Sequence, residues 1–301
     1  MDDSTDVQSQ AVEHRFKITR VGVTGVKKPI VVDRPSGKRT LNATIDVFVD
    51  LPSDQKGSHM SRNVEVTGEV VDKSVREPVK GLENLAADMC RMLLKRHEYA
   101  SYSEVDIKAD YFLEKESPKG KTSLENYMIR AKGEGYRKEK DGTEMEVKKF
   151  IGTTAVGINT CPCAMETVKD RFKEEYPEFS EALEELPTIT HNQRNKTTLM
   201  MEVPPGREVE VNDLIEILES SVSFPTHEIL KRDDEAEVVI RAHKNPKFVE
   251  DIVRDILSKC LNSYQEFPDS THIEVKSKSE ESIHKHDAFA ERITTFGELR
   301  E

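Results

Sequence analysis

Two short motifs in this chain contain residue types that bind divalent metals. A Cys-Pro-Cys motif at residues 161–163 follows a run of strand-forming residues, and His191 opens a second such run within the motif HNQR, residues 191–194. Thiolate and imidazole are ligands for metals such as Zn²⁺ and Fe²⁺. The pattern therefore indicates a candidate metal site, with Cys163 close to Cys161. The alternative is that both cysteines are small core residues, because Cys-x-Cys alone is not specific.

The composition is that of a globular protein with a heavily charged surface. Of 301 residues, 36% are hydrophobic and 34% are charged, and the net charge is −12. No run approaches the roughly 18 apolar residues of a membrane span, and the acidic N-terminus lacks the basic and apolar regions of a secretory signal. The negative charge argues against nucleic-acid binding. We expect a cytoplasmic protein that binds neither membranes nor nucleic acids.

The cysteine content fits a reducing compartment. Four cysteines in a chain of this length do not form a disulfide framework, so we expect free thiols. Cys90 and Cys260 fall on apolar faces of predicted helices and are interpreted as core residues. Only Cys161 and Cys163 remain as candidate ligands.

Hydrophobic periodicity predicts the elements that position these motifs. Alternation predicts strands over residues 41–51, 105–113, 127–136, 145–158, 196–203 and 273–277, with a hairpin turn at Asp141-Gly142. Helical spacing predicts helices over residues 82–94, 211–222 and 248–261, and one or two exposed helices over 166–186. Residues 20–38 are predicted to be irregular with one short strand, residues 56–62 to be a loop, and Asn245-Pro246 to start a helix.

Two parts of the chain share the same order of elements. The helix at 82–94 precedes the strand at 105–113 as the helix at 248–261 precedes the strand at 273–277. The repeat predicts an α+β fold built from two modules, each an antiparallel sheet with helices on one face. We place a disordered tail at residues 1–15, an N-terminal module at 16–143, and a C-terminal module at 144–301 that carries most of the site.

Other polar residues have a functional and a structural interpretation. His59 and Arg62 lie beside a glycine in KGSHMSR, residues 56–62, where they could receive a phosphate or belong to a solvated turn. Glu250 lies early in a predicted helix, where the positive helix end favours a carboxylate. His284 and His286 lie on one side of an extended segment. The charged run at 231–235 is interpreted from residue types alone as a solvated face.

Six motifs in order resemble the type IB GTP cyclohydrolases over nearly the whole chain after about residue 15. They are KGSHMSR (56–62), CPC (161–163), HNQR (191–194), KRDDE (231–235), NPKFVED (245–251) and ESIHKH (281–286). The long insertion at 166–190 and the sequence TCPCAME at 160–166 resemble the archaeal branch of the family, whose members catalyse the first step of methanopterin synthesis. The resemblance implies a tunnelling fold and a homodimer or homotetramer with active sites at subunit interfaces.

The same resemblance implies roles for individual residues. Cys161, His191 and Glu235 would be metal ligands. Glu250 would bind the guanine of GTP through N1–H and the 2-amino group, because a carboxylate offers two parallel acceptors. The remaining implied assignments are proton transfer or substrate contact by His284 and His286, and phosphate binding by His59, Arg62 and Arg194.

The implied reaction suits these residue types. Opening the imidazole ring of GTP requires a nucleophile at C8, and a divalent metal lowers the pKa of bound water enough to supply it near neutral pH. A second hydrolysis releases formate, and histidine suits the proton transfers. Mixed S, N and O ligands fit Fe²⁺, Zn²⁺ or Mn²⁺; the branch resemblance implies Fe²⁺.

Several outcomes remain open at the level of sequence. The archaeal branch implies 7,8-dihydroneopterin 2',3'-cyclic phosphate with loss of pyrophosphate, whereas the bacterial members imply 7,8-dihydroneopterin triphosphate. A different class of function is a non-catalytic purine- or pterin-binding module with the same fold. A reductase with a cysteine nucleophile and NADPH is a third interpretation, but no nicotinamide-binding motif supports it.

Overall fold

A computed structural model of the chain describes residues 7–10, 12–34, 37–138 and 144–301. The predicted turn at Asp141-Gly142 and part of the predicted tail at 1–15 lie outside the described residues. Within the described tail, Val7–Ser9 form a 3₁₀ turn, and the carbonyl of Gln8 accepts a hydrogen bond from Gly57 N–H at 3.0 Å. None of the helices described is both long and apolar enough to span a bilayer.

The elements of the chain alternate between strands and helices. The first half contains β1 (Ile18–Arg34), β2 (Gly37–Leu51), α1 (Met60–Arg76), α2 (Leu82–Arg96), β3 (Tyr102–Glu116), β4 (Thr122–Arg137) and β5 (Met145–Thr160). The second half contains α3 (Pro162–Glu175), α4 (Ser180–Glu185), β6 (Asn192–Glu202), α5 (Val211–Glu219), β7 (Phe224–Pro225), α6 (Arg232–Lys244), α7 (Val249–Ser263), β8 (His272–Glu280), β9 (Ala288–Thr295) and α8 (Phe296–Arg300).

The described strands are hydrogen-bonded in the order β1-β2-β3-β4-β5-β6-β8-β9, and β7 pairs with β5. The registers of β1 with β2, β2 with β3, β6 with β8, and β8 with β9 are all antiparallel. The chain forms two compact units: one comprises residues 1–110, 129–151 and 202–206, and the other comprises 111–128, 152–201 and 207–301. The α+β class predicted from the sequence is confirmed.

The core of the first unit is formed by one face of β2 and β3 and by α2. Alternate residues of β2, among them Ile45, Val47 and Val49, are buried, as the sequence pattern predicts. Helix α2 lies so close to β4 that a Cβ added to Gly133 would stand 2.6 Å from the carbonyl oxygen of Ala86. A side chain at position 133 would therefore push the helix off the sheet.

The core of the second unit is formed by α5, α7 and the strands that α7 covers. Helix α7 packs against β8 and β9 and also contacts α5. Ile252, Ile256 and Cys260 on its inner face are buried, and so is Val275 of β8. These are the periodic apolar residues from which the helix and the strand were predicted.

Two predictions of local structure in the first half of the chain are wrong. The predicted irregular segment at 20–38 is instead a strand over the described residues 20–34, because β1 is continuous to Arg34, with register shifts at two points. Gly25, with φ of +73°, lies at the second shift, and Pro29 is tolerated because β1 is an edge strand. Residues 60–62 belong to α1 rather than to a loop, and α1 escaped prediction because its buried face mixes valine with polar side chains.

Asn245-Pro246 does not start a helix. Asn245 follows the last residue of α6, and its side-chain amide donates hydrogen bonds to the carbonyls of Val222 and Ser223. Helix α7 begins at Val249, and the Asp251 carboxylate accepts the Phe248 N–H. The acidic run at 233–235 is not merely a solvated face, because it forms the first turn of α6 and Asp234 within it is buried.

Candidate active site

The Cys-Pro-Cys motif lies at the junction between β5 and α3. Cys161 has an extended backbone and caps α3, and Pro162 takes the first helical position, where its missing N–H costs nothing. The Cys161 sulfur accepts a hydrogen bond from Ala164 N–H at 3.4 Å. The N-terminus of α3 therefore presents a backbone N–H donor to the Cys161 sulfur.

The four cysteines fall into two groups by environment. Cys90 and Cys260 are buried, and burial raises the pKa of each thiol to about 12. Cys161 is partly exposed and Cys163 is exposed. The prediction that Cys90 and Cys260 are core residues is confirmed. Only the Cys-Pro-Cys thiols are accessible to a metal or to substrate.

His191 is brought next to Cys161 by the backbone. The N–H of Cys161 donates to the carbonyl of His191 at 3.1 Å, and the Thr190 hydroxyl donates to the carbonyl of Cys161 at 2.7 Å. His191 immediately precedes β6, as the sequence predicts. The structure therefore places the sulfur-bearing and imidazole-bearing residues of the predicted metal site side by side.

The histidines of ESIHKH extend this cluster. The rings of His191 and His284 are perpendicular, with centroids 6.3 Å apart, and those of His284 and His286 stack at 5.1 Å. His284 and His286 are exposed, whereas the side chain of His191 is 12% exposed. Two accessible imidazoles thus stand beside a largely buried one, an arrangement that could move protons at the edge of the site.

Gln193 and Glu281 hold the ring of His191. Nδ1 of His191 lies 2.9 Å from Oε1 of Gln193, and Nε2 of Gln193 donates to Oε1 of Glu281 at 3.1 Å. Neither residue was singled out from the sequence. The available signal was polar residues at the inward positions of a strand, since Gln193, Asn195 and Thr197 are buried along β6.

Thr160 connects the Cys161 region to the start of α7. Its hydroxyl donates to the carbonyl of Ala242 in α6 at 2.9 Å, and its carbonyl accepts the N–H of Lys247 at 3.1 Å. Thr160 is fully buried. The residue before the thiol is therefore bonded to the segment that leads into the helix carrying Glu250.

Glu250 and Glu235 both lie in first turns of helices. Glu250 is exposed in the first turn of α7, and Glu235 is exposed in the first turn of α6. The neighbouring Asp234 is buried and accepts hydrogen bonds from Lys231 N–H at 3.1 Å and Lys119 N–H at 2.9 Å. The Ser117 hydroxyl, followed by these N–H groups, lowers the pKa of Asp234. Asp234 thus fixes the turn from which Glu235 projects.

The donor set only partly matches the predicted metal ligands. Cys161 and His191, which are joined through their backbones, offer one sulfur and one nitrogen ligand. Within the described ranges, however, no three or more His, Cys, Asp or Glu side chains are grouped closely enough to hold a metal ion. Glu235 is therefore not beside the other two in this chain, and its assignment as the third ligand stays a prediction.

The predicted phosphate-binding residues lie in different environments. In the first unit, Nη1 of Arg62 donates to the carbonyl of Arg96 at 2.9 Å, so this guanidinium caps the end of α2. His59 precedes α1, and its ring centroid lies 6.3 Å from that of Tyr99. In the second unit, Arg194 is exposed on β6 and directly follows Gln193. Contact with phosphate stays a prediction for all three.

The second unit therefore contains a polar site with a helix-capping thiol, three imidazoles and a buried amide–carboxylate pair, a set of groups suited to hydrolysis or proton transfer. Comparison with known proteins gives the class. Residues 5–290 match the family described as "Type I GTP cyclohydrolase folE2".

Curated relatives are similar in sequence to this chain over almost the full length of both. "GTP cyclohydrolase MptA" of Methanobrevibacter smithii is 44% identical over 306 residues, which cover 98% of this chain and 97% of the relative. Proteins of the same name from Methanococcoides burtonii and Methanocaldococcus jannaschii are 42% and 39% identical, each covering 98% of this chain and 96% of the relative. The chain belongs to the type I GTP cyclohydrolase folE2 family.

Solved structures show only a distant likeness. The uricase of Arthrobacter globiformis gives a TM-score of 0.47 at 9% identity, with 92% of this chain and 93% of that chain covered. A uricase from Bacillus fastidious gives 0.48 at 10% identity, with 94% and 95% covered. Similarity at this level defines neither the fold nor a ligand of this chain.

Proposed function

We propose that this protein converts GTP into 7,8-dihydroneopterin 2',3'-cyclic phosphate, formate and pyrophosphate, as the first step of tetrahydromethanopterin synthesis. The observation that carries the proposal is the full-length identity of 39–44% to relatives named GTP cyclohydrolase MptA. The local geometry supports it, because the backbones of Cys161 and His191 are adjacent and the ring of His284 lies beside that of His191. We further infer that the reaction takes place in the cytoplasm.

Guanine recognition is assigned to Glu250. Its carboxylate has two acceptor oxygens and sits at the positive end of α7, where the negative charge is stabilised. Guanine presents N1–H and the 2-amino group as parallel donors, so one carboxylate can accept both. Thr160 fixes the segment leading into α7 relative to Cys161, so base binding and ring opening would be set at a defined separation.

Cys161, His191 and Glu235 are proposed to hold a divalent metal, Fe²⁺ by resemblance to the archaeal branch, with Zn²⁺ or Mn²⁺ as alternatives. When bound, such a metal supplies hydroxide near neutral pH for attack at C8 of guanine. His284 and His286 are accessible imidazoles, the first beside His191 and the second stacked on the first, and would donate and accept the protons of ring opening and formate release.

For the phosphates, His59, Arg62 and Arg194 are the candidates. Formation of the cyclic product requires a ribose hydroxyl to attack the α-phosphorus while pyrophosphate leaves, and cationic side chains stabilise the charge on the leaving group. We also propose the tunnelling fold and a homodimer or homotetramer with sites at subunit interfaces.

The decisive experiment is anaerobic incubation of the full-length protein with GTP and Fe²⁺, followed by mass spectrometry of the pterin. We expect the cyclic phosphate together with one formate and one pyrophosphate per GTP. The triphosphate product would assign the chain to the other branch of the reaction. GTP binding without consumption, with Fe²⁺, Zn²⁺ or Mn²⁺, would support the non-catalytic binding module instead.

A matched pair of thiol variants tests the site. Cys161→Ala should abolish formate release while the protein stays folded, because it removes a side chain from the surface of a helix cap. Cys90→Ala, in the core of the first unit, should lower stability and leave turnover per folded molecule unchanged. Undiminished turnover by Cys161→Ala would reject the metal assignment.

A further inference from the structure

Three side chains form a line of hydrogen bonds that ends on the imidazole of His191. Oε1 of Glu281 accepts from Nε2 of Gln193 at 3.1 Å, and Oε1 of Gln193 lies 2.9 Å from Nδ1 of His191. All three are sheltered: Gln193 is 7% exposed, and the side chains of His191 and Glu281 are 12% and 10% exposed. Water therefore competes weakly for these bonds.

The chemistry of the three groups fixes the direction of every hydrogen bond. A carboxylate only accepts, so the amino end of the Gln193 amide must face Glu281. The carbonyl end of the amide then faces His191. Because a carbonyl oxygen also only accepts, Nδ1 of His191 must carry the proton.

The direct contact between Glu281 and His191 is too long to replace the chain of hydrogen bonds through Gln193, which we call the relay. Oε2 of Glu281 stands 3.7 Å from Nδ1, which is beyond hydrogen-bond distance. The carboxylate thus acts on the ring through the amide. Among the described residues, Gln193 is the hydrogen-bond partner of this ring, and it engages only Nδ1.

The strands that carry the relay are themselves held by buried polar contacts. Arg194 pairs with Glu280 in the ladder of β6 and β8, so Gln193 and Glu281 are opposite one another just beyond its last pair. Farther along, Asn195 donates to the hydroxyls of Ser277 and Ser279 at 2.8 and 2.9 Å. Such satisfied networks make a register shift costly, which keeps the relay aligned.

We propose that Gln193 and Glu281 are positioning residues that hold His191 in the tautomer protonated at Nδ1. Nε2 then presents its lone pair toward the side of the ring away from Gln193. This inference rests on the proposed function, in which His191 is a metal ligand, because a neutral imidazole binds a metal through an unprotonated nitrogen. Partners of this kind commonly orient metal-binding histidines.

The tautomer can be observed without metal and without catalysis. We would record long-range ¹H–¹⁵N correlation spectra of the full-length protein labelled at its histidines, and assign His191 by the signals lost in His191→Asn. The wild-type ring should show a protonated Nδ1 and an unprotonated Nε2. In Gln193→Met the acceptor is gone, so both tautomers should be populated.

Glu281→Gln is the sharper variant, because its size is unchanged. Its amide can donate as well as accept, so the Gln193 amide is free to turn over and the Nε2–H tautomer of His191 should appear. Thr197→Val is the matched control: it removes a hydroxyl that donates to Asn195 in the same buried stripe, at 2.5 Å. It should lower stability and leave the His191 signals unchanged.

Affinity for Zn²⁺, measured by competition with a chelating dye, supplies the second readout. Both relay variants should bind about 10- to 100-fold more weakly than wild type, as is typical when a partner of a metal-binding histidine is lost. Unchanged His191 tautomers in both relay variants would overturn the inference. If the tautomers respond while zinc affinity is unaffected even by His191→Asn, the relay stands and the proposed ligand role of His191 fails.

Discussion

Two buried or nearly buried histidines, His97 in the first unit and His191 in the second, show how a structural imidazole differs from a candidate functional one. His97 is fully buried, with Nδ1 2.7 Å from the Tyr99 hydroxyl and Nε2 2.7 Å from Oδ1 of Asn63. His191 has a protein partner on Nδ1 and faces the exposed ring of His284. Both nitrogens of the His97 ring have hydrogen-bond partners, whereas the His191 ring keeps one nitrogen available.

The surroundings of His97 extend the contrast. The Tyr99 hydroxyl is also hydrogen-bonded to the Ser58 hydroxyl, 2.8 Å away, so the His97 ring supports the loop that carries His59. Burial, and then the nearby charges of Arg62 and His59, lowers the pKa of His97 to about 4. The first unit thus uses a neutral histidine to shape a loop, whereas the second places one at the edge of an accessible cluster.

The largest effect expected from this contrast is on turnover. His191→Asn should lower formate release by more than about 100-fold, because loss of a ligand should exceed the effect of losing a partner of a ligand. Its free energy of unfolding should fall by about 1 kcal/mol, since the variant loses one side-chain hydrogen bond, the one to Gln193. Urea titration and formate assays on the same preparation measure both. A large loss of stability with retained turnover would reverse the roles assigned to the two rings.

His97→Phe should do the opposite. The substitution keeps an aromatic ring but leaves the buried amide of Asn63 without its partner, which costs about 1–3 kcal/mol for each unsatisfied group. We expect the free energy of unfolding to fall by about 3 kcal/mol, with turnover per folded molecule changed far less than in His191→Asn. Equal losses of turnover in the two variants would remove the distinction.

The difference between these histidines could not be predicted from residue types. Both rings lie next to apolar segments, and only the folded chain shows that Asn63, three residues after Met60 in an unpredicted helix, reaches one of them. Strands and helices with a purely apolar buried face, such as β2 and α7, were predicted well because period and composition agree. Helix α1 and the inner face of β6 bury polar side chains, and their pattern is visible only once partners are known.

The residues of the candidate site also fall into those that the sequence could predict and those that it could not. The adjacency of Cys161 and His191 involves two strands that were predicted from the sequence, although β6 begins at Asn192 rather than at residue 196. Gln193 and Glu281 required the β6–β8 register, which pairs residues 86 apart at its end, Arg194 with Glu280. No local signal specifies such a pairing. Ordered motifs identified the family because they sample the chain at many positions, but they do not reveal which polar residues hold the ligands in place.

The pH dependence of stability gives a smaller and more specific test. The pKa of His97 is lowered from an ordinary value of 6.5 to about 4. Between these values the unfolded chain binds a proton at this position that the folded chain does not. The stabilising contribution of neutral His97 should therefore be fully present above about pH 6.5. As the pH falls toward 4, the free energy of unfolding should decrease, by up to about 1 kcal/mol per pH unit from this residue. The difference in free energy of unfolding between wild type and His97→Phe should become smaller as the pH falls over that range. A constant difference would contradict a neutral buried His97.

The smallest effects concern the arginines. Arg62 donates to the end of α2, so Arg62→Ala should lower the free energy of unfolding by about 1–2 kcal/mol. Arg194 is exposed, and Arg194→Ala should leave stability unchanged while raising the KM for GTP about 5- to 10-fold if it contacts phosphate. Guanosine, which lacks phosphates, should inhibit Arg194→Ala and wild type equally. A parallel loss of guanosine affinity would show that Arg194 acts on the base or on the fold, and would leave the phosphates to residues of the first unit.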